Sequence, residues 1–141
     1  MTEPIELPST RGHYRLRRQH GGIGYFGQVT VAVGVTTKTV RPRVVWAVDP
    51  ADTSSIQPRF DAELVDAALC GAEDGLDLLA RIGVDVSNLV VHVTHVQLYL
   101  TDIEETAVRT AAALAVAGSQ APARRFSAEY DGGWRAVVNP R

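Results

Sequence analysis

Residues 15–35 read Arg-Leu-Arg-Arg-Gln-His-Gly-Gly-Ile-Gly-Tyr-Phe-Gly-Gln-Val-Thr-Val-Ala-Val-Gly-Val. Basic residues lead into closely spaced glycines, and valines then alternate with other residues. Alternation with a period of two is typical of a strand with one buried face. The stretch therefore predicts two strands, residues 13–19 and 28–36, joined by a glycine-rich turn that holds Gly21, Gly22, Gly24 and Gly27.

The glycine spacing resembles two nucleotide-binding motifs, and neither fits its context. From Gly22 to Val29 the spacing is that of a kinase glycine-rich loop, but the only lysine is Lys38 and no His-Arg-Asp or Asp-Phe-Gly follows. A dinucleotide-binding turn opens a helix, whereas this one opens a strand. Two interpretations remain: a hairpin loop that needs positive φ, or a loop whose bare backbone can approach a flat or phosphate-bearing partner.

The strand before the glycines carries a stripe of basic residues. Side chains alternate between the two faces of a strand, so Tyr14 and Leu16 share one face. The opposite face holds Arg11, His13, Arg15, Arg17 and Gln19. A basic stripe that ends in a glycine loop is a plausible footprint for nucleic acid, and a solvated strand face is the alternative.

Charge is unevenly distributed over the 141 residues, a length that predicts one domain. Residues 1–48 hold seven Lys or Arg against two acids, residues 49–105 two against twelve, and residues 106–141 five against two. A basic first third on an acidic body indicates a directional surface. The single cysteine, Cys70, excludes an internal disulfide and is predicted to be a buried thiol. No signal peptide and no apolar run of about 18 residues is present, so we expect a cytoplasmic protein without a membrane span.

The middle of the chain predicts a third strand and a helix. Residues 41–48 form the strand, with Pro42 suggesting an edge position, and the three strands are expected to make an antiparallel meander. A loop then leads to a helix over about residues 60–82, for which Gly83 is a natural C′ residue. Gly71 and Gly75 within it indicate either a break near residue 71 or close packing on the sheet.

The remainder predicts a strand, a helix and a terminal hairpin. The hydrophobic phase of the strand, residues 88–100, changes around residues 92–95, which predicts a β-bulge. Thr101 and Glu104 suggest a capping box for a helix that ends at Gly118. Residues 119–125 are a linker, and residues 126–138 can form a hairpin.

The sequence offers little catalytic chemistry. His92 and His95 are three apart on a strand, so they face opposite sides unless a bulge intervenes, which is poor metal geometry. No G-x-S-x-G elbow, H-E-x-x-H or Walker loop is present. We therefore expect a protein that is not an enzyme and has no cofactor or metal.

Three segments resemble domain IV of translation elongation factor G, in the order that family has them. Residues 72–76 (Ala-Glu-Asp-Gly-Leu) and 105–112 (Glu-Thr-Ala-Val-Arg-Thr-Ala-Ala) are similar to its two helix segments. The third segment is the glycine-rich stretch, which resembles the family's first loop. It departs from that loop at His20, Ile23, Tyr25 and Gln28. The positions that match that loop are Arg18, Gln19, Gly21, Gly22, Gly24, Phe26, Gly27 and Val29.

The resemblance implies an α+β two-layer sandwich with β-β-β-α-β-α order, a left-handed β-α-β crossover and a short C-terminal β tail. Residues 1–12 would be a loose lead-in and residues 13–118 the domain itself. Residues 119–141 would be a linker and a hairpin or tail packed on the same domain. The family's second tip loop has no room here, because only residues 100–103 separate the last long strand from the final helix. A GTPase domain is absent from these residues, so a complete translocase is not expected.

In that family the two tip loops enter the decoding centre of the ribosome. The resemblance therefore implies a translation-factor-like domain that binds ribosomal or other structured RNA. Phosphate contacts would come from arginines, and sugar or base contacts from the turn. The predicted RNA-binding residues are Arg15, Arg17, Arg18, Gln19, His20, Gly21, Gly22 and Gly24. The alternative is a protein-interaction module on the same fold, with a protein partner on the acidic middle segment.

Overall fold

A computed structural model describes residues 6–37 and 42–140. Within these two ranges the chain forms six strands and two helices, with a 3-10 turn at Ala123–Arg125. The elements are β1 (Glu6–His20), β2 (Ile23–Val35), β3 (Val44–Trp46), α1 (Ala62–Arg81), β4 (Leu89–Val96), α2 (Glu105–Gln120), β5 (Phe126–Tyr130) and β6 (Trp134–Val138). This order confirms the predicted α+β sandwich and its C-terminal hairpin.

The four-stranded sheet has the order β1-β2-β4-β3. β1, β2 and β4 are antiparallel neighbours, and β3 runs parallel to β4 at the edge. The predicted meander of three strands is therefore wrong, because β4 occupies the free edge of β2 and β3 pairs beyond it. A parallel pair needs a long connection, which α1 supplies, so the predicted β-α-β crossover is present. Pro42 lies just before the start of this edge strand, as expected.

β1 is longer than the sequence predicted. It begins at Glu6, inside the stretch expected to be a loose lead-in, because Val35 at the end of β2 supplies Glu6 with a partner. Residues 1–5, 38–41 and 141 lie outside the described residues. The predicted third strand begins at residue 41, so its start lies outside them too.

The predicted β-bulge is present in β4. Val31 of β2 pairs with Val93, and its neighbour Thr30 pairs with His95, so Thr94 is the extra residue. The Thr94 hydroxyl donates to the Thr30 carbonyl oxygen at 3.2 Å. The extra residue shifts the alternation of side chains between the two faces by one position. As a result His92 and His95 lie on the same face of the sheet.

Helix α1 is continuous, so the break considered near residue 71 does not occur. The Asp61 carboxylate accepts from the Leu64 amide at 3.3 Å and caps the first turn. At the other end Gly83 has a φ of 90° and the Val84 amide donates to the Leu79 carbonyl oxygen. This is a Schellman motif, and it confirms Gly83 as the C′ residue.

Helix α2 begins and ends later than predicted. The capping box is wrong, since Glu104 is itself the N-cap and accepts from the amides of Thr106 and Ala107 at 2.7 Å and 3.2 Å. The helix also continues past Gly118 to Gln120. Gly118 has no positive φ, and the chain leaves the helix at Ala121, which precedes a proline.

Helix α2 is the centre of the helical layer. Its residues 110–117 are all buried, between the sheet, α1 and the C-terminal hairpin. Glycines bring each neighbour close: Gly12 of β1 faces the Ala115 carbonyl and Gly27 of β2 faces the Ala107 backbone. Gly71 and Gly75 of α1 face the carbonyls of Arg109 and Ala113. Gly71 and Gly75 therefore do allow close packing, as one of the two interpretations held. They pack against α2, however, and not against the sheet.

Cys70, predicted to be buried, is exposed, because the neighbouring Gly71 and Ala72 occupy the buried face of α1. Over residues 6–37 and 42–140, no helix has the length and apolar character needed to cross a membrane.

We expect Gly75→Ala to destabilise the protein even though alanine is the better helix former. A Cβ at this position would lie 2.7 Å from the Ala113 carbonyl oxygen and from Val116 Cβ, and overpacking of this kind costs about 1–3 kcal/mol. Urea unfolding measures the change in the free energy of unfolding.

The matched control for this substitution is Gly118→Ala on α2. A Cβ there would meet nothing within 4 Å, so the same change should stabilise the protein by about 0.5–1 kcal/mol. Equal effects of the two substitutions would contradict the packing of α1 on α2.

Candidate nucleic-acid interface

The turn between β1 and β2 contains only two residues. His20 pairs with Ile23, and between them Gly21 and Gly22 have φ values of 60° and 80°. Positive φ at both central residues is the geometry of the tightest hairpin turns and explains the Gly-Gly pair. A Cβ at either glycine would meet nothing within 4 Å, so the turn backbone is open on its outer side.

The other two glycines of the predicted turn lie within β2. Gly24 pairs with Gln19, and Gly27 lies against the backbone of α2. The four-glycine turn predicted from the sequence is therefore a two-glycine turn followed by a strand. Gly27 serves the packing of the helix and has no access to a ligand.

The predicted RNA-binding residues all lie at the end of this hairpin, but on two faces. Arg15, Arg17 and Gln19 are exposed on the outer face, which is the side of the sheet away from the helices. Arg18 and His20 project to the helical side, where Leu16 is fully buried. The alternation predicted for β1 is therefore confirmed, although it divides the predicted site.

On the outer face the arginines pack against two aromatic rings. Phe26, only 2% exposed, lies 4.3 Å from the ring of Tyr99 between centroids. The guanidinium carbon of Arg15 is 5.9 Å from the Phe26 ring, and that of Arg17 is 5.8 Å from Tyr99. Such contacts hold the aliphatic stems on the rings while the charged groups remain in solvent.

The connection from β4 to α2 packs against the same hairpin. The Phe26 amide donates to the Asp102 carbonyl oxygen at 2.8 Å, and Ile103 forms a parallel bridge with Phe26. Asp102 has a φ of 67°, an uncommon conformation for a residue other than glycine, and it lies beside Gly24. Its carboxylate helps to line a depression of about 280 Å³ with Arg17, Arg18, Gln19, Gly24 and Tyr25.

On the helical side an aromatic cluster joins the hairpin to β5 and β6. His20 stacks on Tyr130 at 3.7 Å between ring centroids, and the Arg18 guanidinium lies 5.6 Å from the Trp134 ring. The hydroxyls of Tyr25 and Tyr130 are 3.3 Å apart. This hydrogen bond raises the pKa of the Tyr25 hydroxyl, which therefore stays protonated at physiological pH.

Sequence reasoning missed the residues that surround the hairpin end: Tyr25, Tyr99, Asp102, Tyr130 and Trp134. They come from three distant parts of the chain, and only the fold brings them together. The available signal was the predicted terminal hairpin, in which Tyr130 and Trp134 flank the turn and pair directly.

Away from the hairpin, a histidine, a serine and an acid lie together beside β4. The Ser54 hydroxyl is 2.9 Å from His95 Nε2, and Asp52 approaches that same nitrogen at 3.7 Å. A catalytic triad needs the carboxylate on the other ring nitrogen, so these three residues cannot relay a proton. Across the same described ranges, no three His, Cys, Asp or Glu side chains are placed to hold a metal ion.

Comparison with known proteins shows the fold. A crystal structure of a protein from Thermus thermophilus matches with a TM-score of 0.64 and 17% sequence identity. The match covers 92% of this chain and 23% of that chain, so this chain spans about a quarter of that protein. No family model matches the sequence, and no curated protein matches it. The chain therefore has a fold that also occurs within a much larger protein.

We expect stability to fall as the pH drops below about 6.5. Burial lowers the pKa of His92 from 6.5, and burial with the nearby Arg11 lowers that of His13. The unfolded chain then binds more protons than the folded chain, and protonation favours unfolding. Urea midpoints between about pH 8 and about pH 5.5 should decline, and His92→Gln with His13→Gln should flatten that decline. A wild-type profile that is level over this range would contradict the burial of His92.

Proposed function

We propose that this chain is a non-enzymatic, translation-factor-like domain that binds ribosomal or structured RNA through the end of the β1–β2 hairpin. The observation that carries the proposal is the pair Arg15 and Arg17. Both are exposed on the outer face, lie over aromatic rings, and belong to the strand that leads into a turn of two glycines. The resemblance of this hairpin to the first tip loop of elongation factor G domain IV supports it.

The geometry suits phosphate contacts followed by backbone contacts. Guanidinium groups attract the RNA backbone and fix its position, whereas a turn of two glycines lets a sugar or a base approach the main chain. In this proposal Arg15 and Arg17 contact phosphates from the outer face and Arg18 contributes charge from the other side. Gln19, His20 and the backbone of Gly21, Gly22 and Gly24 contact sugars or base edges.

Arg15→Ala with Arg17→Ala should weaken binding to ribosomes and reduce its salt dependence. Each lost phosphate contact releases one fewer counterion, so the logarithmic salt slope should become less steep by roughly two. Co-sedimentation with ribosomes across a salt series measures both quantities.

The matched control is Arg59→Ala with Arg124→Ala, which removes the same charge from exposed positions away from the hairpin. It should retain the wild-type slope. If both double variants bind ribosomes equally, binding depends on the overall charge of the protein, and the proposed site is wrong. If the wild type does not bind at low salt, the RNA proposal is wrong.

A second candidate, a protein-interaction module, is favoured by exposed apolar side chains. Phe60 is 79% exposed and Leu100 is 92% exposed, and Leu98 contributes to an apolar groove beside Phe60. Phe60 and Leu98 share this groove, and exposed apolar residues grouped in this way are typical of protein contacts. The acidic α1 adjoins this region and would select a basic partner.

Affinity capture from a lysate with and without nuclease separates the two candidates. A protein partner that survives nuclease treatment and is lost in Phe60→Ser with Leu100→Ser, but retained in Arg15→Ala with Arg17→Ala, would support the interaction module. Loss of all capture after nuclease would contradict it.

A further inference from the structure

One carboxylate lies among the arginines at the end of the β1–β2 hairpin. It belongs to Asp102 and helps to line the depression of about 280 Å³ that Arg17 and Arg18 border. Asp102 is exposed, and its carboxylate has no ion pair or hydrogen bond with any residue that the structure describes. A carboxylate repels phosphate, so this group does not serve the attraction of RNA, and its oxygens are free to accept hydrogen bonds from a ligand.

Two main-chain hydrogen bonds hold Asp102 in an uncommon conformation. Its φ of 67° lies in the left-handed region, which residues other than glycine seldom adopt. The Phe26 amide donates to the Asp102 carbonyl oxygen at 2.8 Å, and the Glu104 amide donates to the Phe26 carbonyl oxygen at 3.3 Å. The backbone of β2 thus fixes the chain on both sides of Ile103. Such conformations persist only where the surroundings enforce them, and they are frequent at ligand sites.

Gly24 leaves the space that this carboxylate occupies. A Cβ on Gly24 would lie 2.6 Å from Asp102 Oδ2. Gly24 pairs with Gln19, and residues directly opposite each other on two strands point to the same face of the sheet. The carboxylate therefore lies on the outer face, next to Gln19 and on the same side as Arg17. Gly24 has no positive φ, so the site uses its lack of a side chain and not a special backbone conformation.

The hydrogen-bonding capacity of a carboxylate matches one of the four RNA bases. An ionised carboxylate can only accept, and it offers two oxygens side by side. Unpaired bases in RNA are recognised on their Watson–Crick edges. On that edge guanine presents two adjacent donors, N1–H and N2–H. Adenine and cytosine present one donor beside a ring nitrogen that accepts, and uracil presents one donor between two carbonyl oxygens, so each of these three places an acceptor against the carboxylate.

We propose that Asp102 makes this depression a binding site for an unpaired guanine in RNA, an inference that rests on the proposed function. The two carboxylate oxygens accept from N1–H and N2–H of the base. Arg17 and Arg18 contact the phosphates on either side of that nucleotide. The arginines then supply affinity that is independent of sequence, and Asp102 supplies the preference for one base.

The test compares stem-loop RNAs that differ at one unpaired position. Their loops are uridine except for a central guanosine, inosine, adenosine or uridine, so that every RNA carries the same phosphates. Fluorescence anisotropy should show that the wild type binds the guanosine loop about tenfold or more tightly than the adenosine and uridine loops. The affinity for inosine, which lacks the N2 amino group, should fall between them.

Asp102→Asn changes the hydrogen-bonding pattern and keeps the shape of the side chain. Asparagine tolerates a positive φ, so the backbone conformation is retained. A carboxamide offers one donor beside one acceptor, which matches adenine and no longer matches guanine. The ratio of the affinities for the guanosine and adenosine loops should therefore fall about tenfold or more. This ratio is the quantity to compare, because the loss of a negative charge raises the affinity for every RNA alike.

Gly24→Ala is a second variant, and it leaves all charges in place. Its Cβ would lie 2.6 Å from Asp102 Oδ2 and displace the carboxylate, so the preference for guanosine should be lost. The matched control is Asp66→Asn, the same substitution at an exposed position on α1, which should retain the wild-type preference. Thermal unfolding followed by circular dichroism verifies that each variant is folded.

The possible results separate this inference from the proposed function. Equal wild-type affinities for all loops, with binding still weakened by Arg15→Ala with Arg17→Ala, would overturn the guanine site and leave the RNA interface in place. A guanosine preference that survives both Asp102→Asn and Gly24→Ala would overturn the assignment to Asp102. Absence of binding to every loop at low salt would overturn the proposed function together with the guanine site.

Discussion

The structure depends on how closely its neighbours can approach α2. The helix is rich in alanine and is buried by the sheet on one side, by α1 on another and by the C-terminal hairpin on a third. Glycines in β1, β2 and α1 meet its backbone where a Cβ would collide with a carbonyl oxygen. Since packed interiors tolerate little extra volume, these small residues set the spacing of both layers.

That spacing also positions the candidate interface. Gly27 brings β2 against the first turn of α2, and the preceding Phe26 then hydrogen-bonds to Asp102 in the connection that leads into the helix. The connection is short, so it carries Tyr99 directly onto Phe26, where the two rings support Arg15 and Arg17. Side chains that are already ordered lose less entropy on binding, so the packing of α2 would favour the proposed contacts of Arg15 and Arg17.

Periodicity in the sequence predicted most elements, because each one has a buried face with its own period. It located β1, β2, α1, the bulge in β4 and the terminal hairpin, and it placed all eight predicted site residues on one hairpin. It could not predict that β3 pairs with β4 and not with β2, since strand pairing depends on contacts between distant residues. For the same reason it missed Tyr99, Tyr130 and Trp134, and it could not tell that Gly71 and Gly75 face a helix.

The strand order shows how a basic surface at β1 coexists with a net charge of −2. The basic strand β1 and the strand β3 form opposite edges of the sheet, and the acidic helix α1 packs near β3 and β4. Three strand spacings separate the edges by roughly 14 Å, which exceeds the screening length of about 8 Å at physiological salt. A polyanion bound at β1, as proposed, would therefore be largely screened from the carboxylates of α1. At lower salt those carboxylates would repel it from the other side and so orient its approach towards the β1–β2 hairpin.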